Sequence, residues 1–320
     1  MALLTELPLP VAERLARAFG LELASVEPLQ AGSVNSNFRF VTADGRRYFA
    51  RIYEEQGIEG ARSELRLVGL LAEAGVPVVQ SIPSAAGAAL LDVSGKPFAI
   101  FPWLDGDILC QKRVTAAACE QVGAALARVH LTSERIGPLS EGRFRPADLR
   151  LRLERIPESE RAPFSLAIAH IRERLDHYEA RRTELPRGVI HSDLFRDNVL
   201  WNGERIGALL DFESACFGTF AYDVMTTILA WCYGAAFELE LVQALLRGYA
   251  GVRRFDAGEV TALRVEGAIA CLRFATTRIT DFSLRAAPGT PPVRDFRRFL
   301  ARLEALEAGT LDGCFASVVS

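Results

Sequence analysis

The chain has 320 residues, half of them hydrophobic, and 37 basic against 40 acidic side chains leave a net charge of −3. That length suffices to bury a core as one large or two coupled domains, and the near balance of charge argues against the basic surface that nucleic-acid phosphates call for. The six cysteines (Cys110, Cys119, Cys216, Cys232, Cys271, Cys314) show neither C-x-x-C spacing nor a histidine at zinc-ligand spacing, so they are expected to be reduced, mostly buried apolar groups.

The opening Met1–Pro10 has no basic run followed by a long apolar one, so no signal peptide is expected. Val11–Phe19 reads as a short amphipathic helix. From about Val26 to Pro102 the texture is strand-rich: Asn37–Thr42, Arg47–Tyr53 and Phe98–Phe101 carry Phe, Val, Ile and Tyr, with a turn at Ala43–Arg46. One helix interrupts them, from Ser63 to Ala74, stopped by Gly75 with Pro77 beyond. After Trp103-Leu104-Asp105-Gly106 the texture turns helical. Thr115 is placed to cap a helix reaching about His130. A polar, Arg-rich connection follows, then helices at Pro163–Arg182, Tyr222–Gly234, Glu238–Tyr249, Gly258–Thr280 and Pro292–Ala308. The longest apolar stretch, Phe220–Phe237, contains Asp223 and reads as a core helix rather than a membrane span. The expectation is a cytoplasmic protein with a small β-rich lobe over residues 1–102 and a larger α-rich lobe over 103–320.

One polar cluster breaks the helical half: Val189-Ile190-His191-Ser192-Asp193-Leu194-Phe195-Arg196-Asp197-Asn198, then Val199-Leu200-Trp201, then Ile206–Glu213. Asn202-Gly203 between the apolar runs is a hairpin signal, and such a hairpin would carry Asn198 at one end and Asp211 at the other. Phosphoryl transfer needs a carboxylate to orient a hydroxyl and take its proton, and hard oxygens to hold magnesium against the phosphates. Asp193 fits the first role, Asn198 and Asp211 the second. Any one of them alone would read as an ordinary loop residue; the set, spaced across a hairpin, does not.

His191-Ser192-Asp193-Leu194-Phe195-x-x-Asn198 with Leu210-Asp211-Phe212-Glu213 resembles the signature of the aminoglycoside phosphotransferase and choline kinase superfamily. The resemblance implies an α+β, bilobal protein-kinase-like fold, ATP and Mg2+ as the reaction's nucleotide and metal, Asp193 as catalytic aspartate with His191 in support, and Asp223 of Gly218–Asp223 as a brace for the catalytic loop. It implies a nucleotide site in the first lobe, drawing on Gly32, Ser33 and Asn35 of the loop Gln30–Phe38, on Arg51 where kinases carry lysine, on Glu64 as its ion-pair partner, and on a hinge at Phe98–Trp103 that includes Phe101. Asn35-Ser36-Asn37, Phe220-Ala221-Tyr222-Asp223, Ala230-Trp231-Cys232 and Leu272-Arg273-Phe274 with Thr277-Arg278 are similar to the homoserine kinase branch, which phosphorylates the side-chain hydroxyl of L-homoserine on the way to threonine. Glu213, Ser192 and Arg196 depart from the aromatic, Ala and Pro expected there. A homoserine acceptor needs a cation for its carboxylate, for which Arg273 and Arg278 are candidates. Its ammonium needs an acid or amide, for which Asp281, Asn35 or Glu213 are candidates, with Tyr222 and Trp231 as walls. The rival readings are a superfamily member acting on an aminoglycoside, choline-like amino alcohol or related metabolite, and a nucleotide-binding pseudokinase; the presence of Asp193, Asn198 and Asp211 together argues against the latter.

Overall fold

Alternation of apolar and polar residues builds the first sheet, and helical spacing builds nearly everything after residue 107. In the computed structural model, residues 5–29, 34–136, 139–285 and 294–318 are described. The elements run α1 Leu9–Ala18, β1 Leu23–Leu29, β2 Ser36–Thr42, β3 Arg47–Ile52, α2 Ile58–Glu73, β4 Leu91–Val93, β5 Lys96–Pro102, α3 Ala116–Leu131, α4 Ser133–Ile136, α5 Pro146–Glu154, α6 Glu158–Arg161 and α7 Ser165–Glu179. They continue with β6 Arg187–Ile190, β7 Val199–Asn202, β8 Arg205–Leu209, β9 Cys216–Thr219, α8 Phe220–Trp231, α9 Leu239–Ala250, α10 Ala257–Arg278, α11 Arg297–Glu307 and α12 Asp312–Ala316. Two units result: Met1–Asp107 with Leu200–Gly203 and Gly207–Glu213, and Ile108–Val199 with Glu204–Ile206 and Ser214–Ser320.

The first unit holds an antiparallel sheet in the order β1-β2-β3-β5-β4. Successive side chains of a strand face opposite sides, so Phe38 and Phe40 of β2, Ala50 and Ile52 of β3, and Phe98 and Ile100 of β5 share one buried face, against which α1 lays Leu15 and Phe19. The helix α2 buries Ala61, Glu64, Leu67, Val68 and Leu71, spaced as one helical stripe. It starts at Ile58, earlier than Ser63, and ends where Gly75 takes a φ of +78°. The Asn-Gly signal is realised in the β7–β8 pair, with Gly203 at φ +61°.

The second unit is helical around α8, all twelve residues of which are buried. Thr115 caps α3 by accepting from the Ala118 N–H at 3.2 Å. The polar, Arg-rich connection contains a helix: Pro146 starts α5, Asp148 bonds the Arg145 N–H, and Leu149 and Leu153 are buried. Only three apolar residues of that helix, Pro146, Leu149 and Leu153, face inward, too few for periodicity to stand out in the sequence. The helix expected from Pro163 begins at Ser165, after a 3-10 turn at Ala162–Phe164. No helix among the described residues is long and apolar enough to cross a membrane.

The helices α3 and α9 cross backbone to backbone at two glycines. A Cβ on Gly123 would stand 2.1 Å from the Leu245 carbonyl oxygen, and one on Gly248 would stand 2.0 Å from that of Glu120. Helix propensity alone favours alanine over glycine by about 1 kcal/mol. Forcing two helix backbones apart costs about 1–3 kcal/mol or more and wins here. Gly248→Ala is therefore expected to lower stability in urea unfolding by about 2 kcal/mol; a stabilised variant would contradict the close approach.

Candidate active site

In the first unit a cavity of about 220 Å3 opens beside the sheet. Phe49, Leu65, Val68, Phe101 and Leu209 make it apolar, and Arg51, Glu64 and Asp211 are its charged lining. A flat apolar slot with a few convergent polar groups is the usual form of a small-ligand site. Arg51 comes from β3. Its Nε donates to Asn37 Oδ1 at 3.1 Å, and its guanidinium lies 3.9 Å from Glu64 and 5.5 Å from the Phe49 ring. Arg51 and Glu64 are thus brought together, and Phe101 lines the same cavity.

Glu64 pays for its place on the buried stripe of α2: burial, only partly offset by Arg51 and aggravated by Asp211 and Glu213, pushes its pKa up to about 7. A carboxyl whose pKa is 4.5 when unfolded and about 7 when folded holds its proton longer in the native state. Stability therefore falls as pH rises from about 4.5 to 7 and is flat above, a loss on the order of 3 kcal/mol. Replacing Glu64 with glutamine is expected to remove that slope. Urea unfolding at pH 5 and pH 8 checks this: the wild type should lose about 3 kcal/mol more than Glu64→Gln over the interval, and parallel curves would refute the raised pKa.

Asn35, which precedes β2, donates from Nδ2 to Glu213 Oε2 at 3.0 Å and accepts the Glu54 N–H at 3.1 Å. Both are candidates for the acceptor ammonium, and here they engage one another. Gly32 and Ser33 lie outside the described residues. Asp211 has a φ of +62°. For a residue with a Cβ this left-handed conformation costs roughly 1–3 kcal/mol and persists only where the surroundings impose it.

In the second unit β6 delivers the loop His191–Asn198. Ser192 has a φ of +65°, so of the three non-glycine residues with left-handed φ, two, Ser192 and Asp211, belong to segments singled out for chemistry, and the third, Ser94, turns between β4 and β5. Asp223, fully buried on α8, accepts the His191 and Ser192 N–H groups at 2.7 Å each and faces His130 Nε2 at 3.1 Å. Burial alone would raise its pKa; the bond from His130 and the nearby His191 outweigh that and hold it below the usual carboxylate value. Burial lowers the His130 pKa; with the proton on Nε2 it donates to Asp223, and its Nδ1 accepts the Tyr249 hydroxyl at 2.7 Å. His130 was not singled out in the sequence; its signal was a polar residue on the apolar stripe of α3.

Around Asp193, His191 Nδ1 accepts the Asp193 N–H at 3.3 Å, and Asn198 Nδ2 donates to the Asp193 carbonyl at 2.8 Å. Arg273, buried on α10, donates to the Ser192 carbonyl and sits 3.4 Å from Asp193 Oδ1. These two contacts brace the loop. Trp231 is fully buried, and its indole N–H donates to the Leu194 carbonyl at 3.0 Å. Tyr222 lines a cavity of about 80 Å3 together with Phe144, Ser192 and Cys216. Arg278 ends α10 over the Phe299 ring and donates to the Asp295 carbonyl at 3.0 Å. Asp281 is held by Arg152 at 2.8 Å, and Phe144 lies under both Arg152 and Arg273, at 5.5 and 4.3 Å. Arg152 and Phe144 were missed because the connection that carries them showed no periodicity.

The chain matches the Phosphotransferase enzyme family over residues 25–255. It is 36% identical over 277 residues to the homoserine kinase of Methylorubrum populi, covering 84% of each chain. With the homoserine kinase of Sinorhizobium fredii it is 33% identical over 291 residues, covering 88% of this chain and 86% of that one. Among solved structures it resembles an amicoumacin kinase in complex with AMP-PNP, Ca2+ and Ami, with TM-score 0.73 and 17% identity over 94% of this chain and 93% of that one. A spectinomycin phosphotransferase in complex with ADP and spectinomycin gives TM-score 0.66 and 15% identity over 93% and 97%. Family match, relatives and fold agree: this chain belongs to the phosphotransferase enzyme family.

Proposed function

We propose that the chain is an ATP-dependent kinase that transfers the γ-phosphate to the side-chain hydroxyl of L-homoserine, giving O-phospho-L-homoserine for threonine synthesis in the cytoplasm. The observation that carries this reading is the loop His191–Asn198, clamped by the buried Asp223 and presenting Asp193 beside Arg273, in a chain whose curated relatives are homoserine kinases over most of their length.

In this mechanism Asp193 orients the acceptor hydroxyl and takes its proton as the bond to phosphorus forms. Arg273 holds the loop carbonyl and the Asp193 carboxylate in place. Arg51, kept in position by Asn37 and Glu64, offers its guanidinium to phosphate oxygens. Asn198 and Asp211 would hold magnesium. The donor chemistry fits: the Asn198 amide N–H is spent on the Asp193 carbonyl, which leaves its oxygen, and an amide oxygen with a carboxylate is a hard donor pair. No group of three His, Cys, Asp or Glu side chains among the described residues makes a metal site on its own, as suits an ion that draws its remaining ligands from phosphates and water. When bound, magnesium neutralises charge on the phosphates.

The test is turnover with ATP and magnesium across a panel of L-homoserine, an aminoglycoside and a choline-like amino alcohol. Phosphorylation of homoserine alone is expected. Turnover of an amino alcohol or aminoglycoside without homoserine would move the acceptor, and nucleotide binding without turnover of any hydroxyl would remove the kinase reading.

A further inference from the structure

Five arginines gather beside the catalytic loop: Arg196 within it, Arg278 at the end of α10, Arg294 just before α11, and Arg298 and Arg302 on α11. Two of them share Phe299, whose ring centre lies 4.3 Å from the Arg278 guanidinium and 4.7 Å from that of Arg302. Phe299 in turn packs on Phe274 and Phe195, the latter two residues past Asp193. Arg302 is buried while Arg294 and Arg298 are exposed, so the cations lead from the interior of this unit to its surface.

Cations outnumber carboxylates here. Asp197 lies 3.4 Å from Arg294 and also stands near Arg196, and Asp295, paired with Arg297 at 3.0 Å, stands near Arg278, but among the described residues no acidic side chain lies within ion-pairing distance of Arg196, Arg278, Arg298 or Arg302. Their N–H groups turn to neutral oxygens: Arg278 to the Asp295 carbonyl at 3.0 Å, Arg302 to the Leu229 carbonyl at 3.0 Å, Arg196 to Gln111 Oε1 at 2.6 Å. Elsewhere in the same unit the sheltered Arg182 and Arg253 meet Glu266 and Glu259 at 2.7 and 2.9 Å. Burial first, and then the neighbouring guanidinium groups, bring Arg278 down to about 9 and Arg302 to about 10. Sheltered like charges at this density are costly until an opposite charge joins them.

We propose that this cluster is an oxyanion site that takes a carboxylate or phosphate group beside the catalytic loop. The planar fork of arginine matches both groups. Two sources share that chemistry: the carboxylate of the acceptor itself, an assignment that rests on the homoserine reading, and a separate small phosphate-bearing anion.

Thermal unfolding of the full chain tests it, with millimolar inorganic phosphate against chloride at matched ionic strength, and separately with L-homoserine. The comparison protein is the double variant Arg294→Gln/Arg298→Gln, whose two positions are exposed. The expected result is a rise in Tm of about 2 °C with at least one ligand in the wild type and its loss in the variant. A KM for homoserine raised about 10- to 100-fold in the variant, with the KM for ATP unchanged, assigns the anion to the acceptor. An unchanged homoserine KM with the phosphate response lost assigns it to a separate anion. Equal responses in both proteins, or none in the wild type with either ligand, overturn the site. If the wild type turns over no homoserine, the acceptor reading fails while the phosphate comparison still decides the site.

Discussion

Asp193→Asn is expected to lower kcat by about 10^3-fold while leaving the affinity for ATP within about twofold, because a positioned general base contributes roughly 10^2- to 10^4-fold. The substitution is nearly isosteric. Its amide oxygen still accepts from Arg273, and the backbone bonds that shape the loop, from the His191 and Ser192 N–H groups to Asp223, do not involve the changed atoms. In the proposed reading the nucleotide draws on Arg51, Glu64 and Asp211, none of which is changed, so ATP affinity is expected to hold. Steady-state kinetics with a nucleotide titration check both halves. A kcat within tenfold of wild type would dismiss Asp193 as the proton acceptor.

The largest effect on stability is expected at Asp223. Its carboxylate accepts two backbone N–H groups at 2.7 Å and faces His130 at 3.1 Å, all out of contact with water. Asparagine has one acceptor oxygen, and its NH2 would confront an N–H donor. Leaving a buried donor unpaired costs about 1–3 kcal/mol, more where a charge was involved. Asp223→Asn should therefore lose on the order of 4 kcal/mol in urea unfolding, and Asp223→Ala at least as much. A loss below about 1 kcal/mol would mean that the loop is held by something other than this carboxylate.

Local signals reached the strands, most helices and the reactive loop, and stopped where partners are distant in the chain. The β2, β3 and β5 residues alternate, the α2 leucines repeat at helical spacing, and polar groups set between two apolar runs mark His191–Asn198. The partner of Asn35, 178 residues away at Glu213, leaves no local trace, because the bond depends on which surfaces the folded unit brings together. The same holds for Arg273. A guanidinium on an apolar helix calls for an anion or a carbonyl, and only the fold brings it to the Ser192 carbonyl and Asp193. For Trp231 the sequence is silent on partners: an indole suits a pocket wall and a core equally, and the approach of Leu194 to α8 is what buries it. In α5 two arginines and an exposed leucine interrupt the inward Leu149 and Leu153, which hid the helix together with Arg152.

The line from Tyr249 through His130 and Asp223 to the backbone of His191 and Ser192 ties α9, α3 and α8 to the loop without an exposed link. Amide hydrogens at those two positions have no private route to solvent, so their exchange must wait for the whole unit to open. Heat inactivation should then track global melting, with no window in which a folded chain has lost its reactive loop.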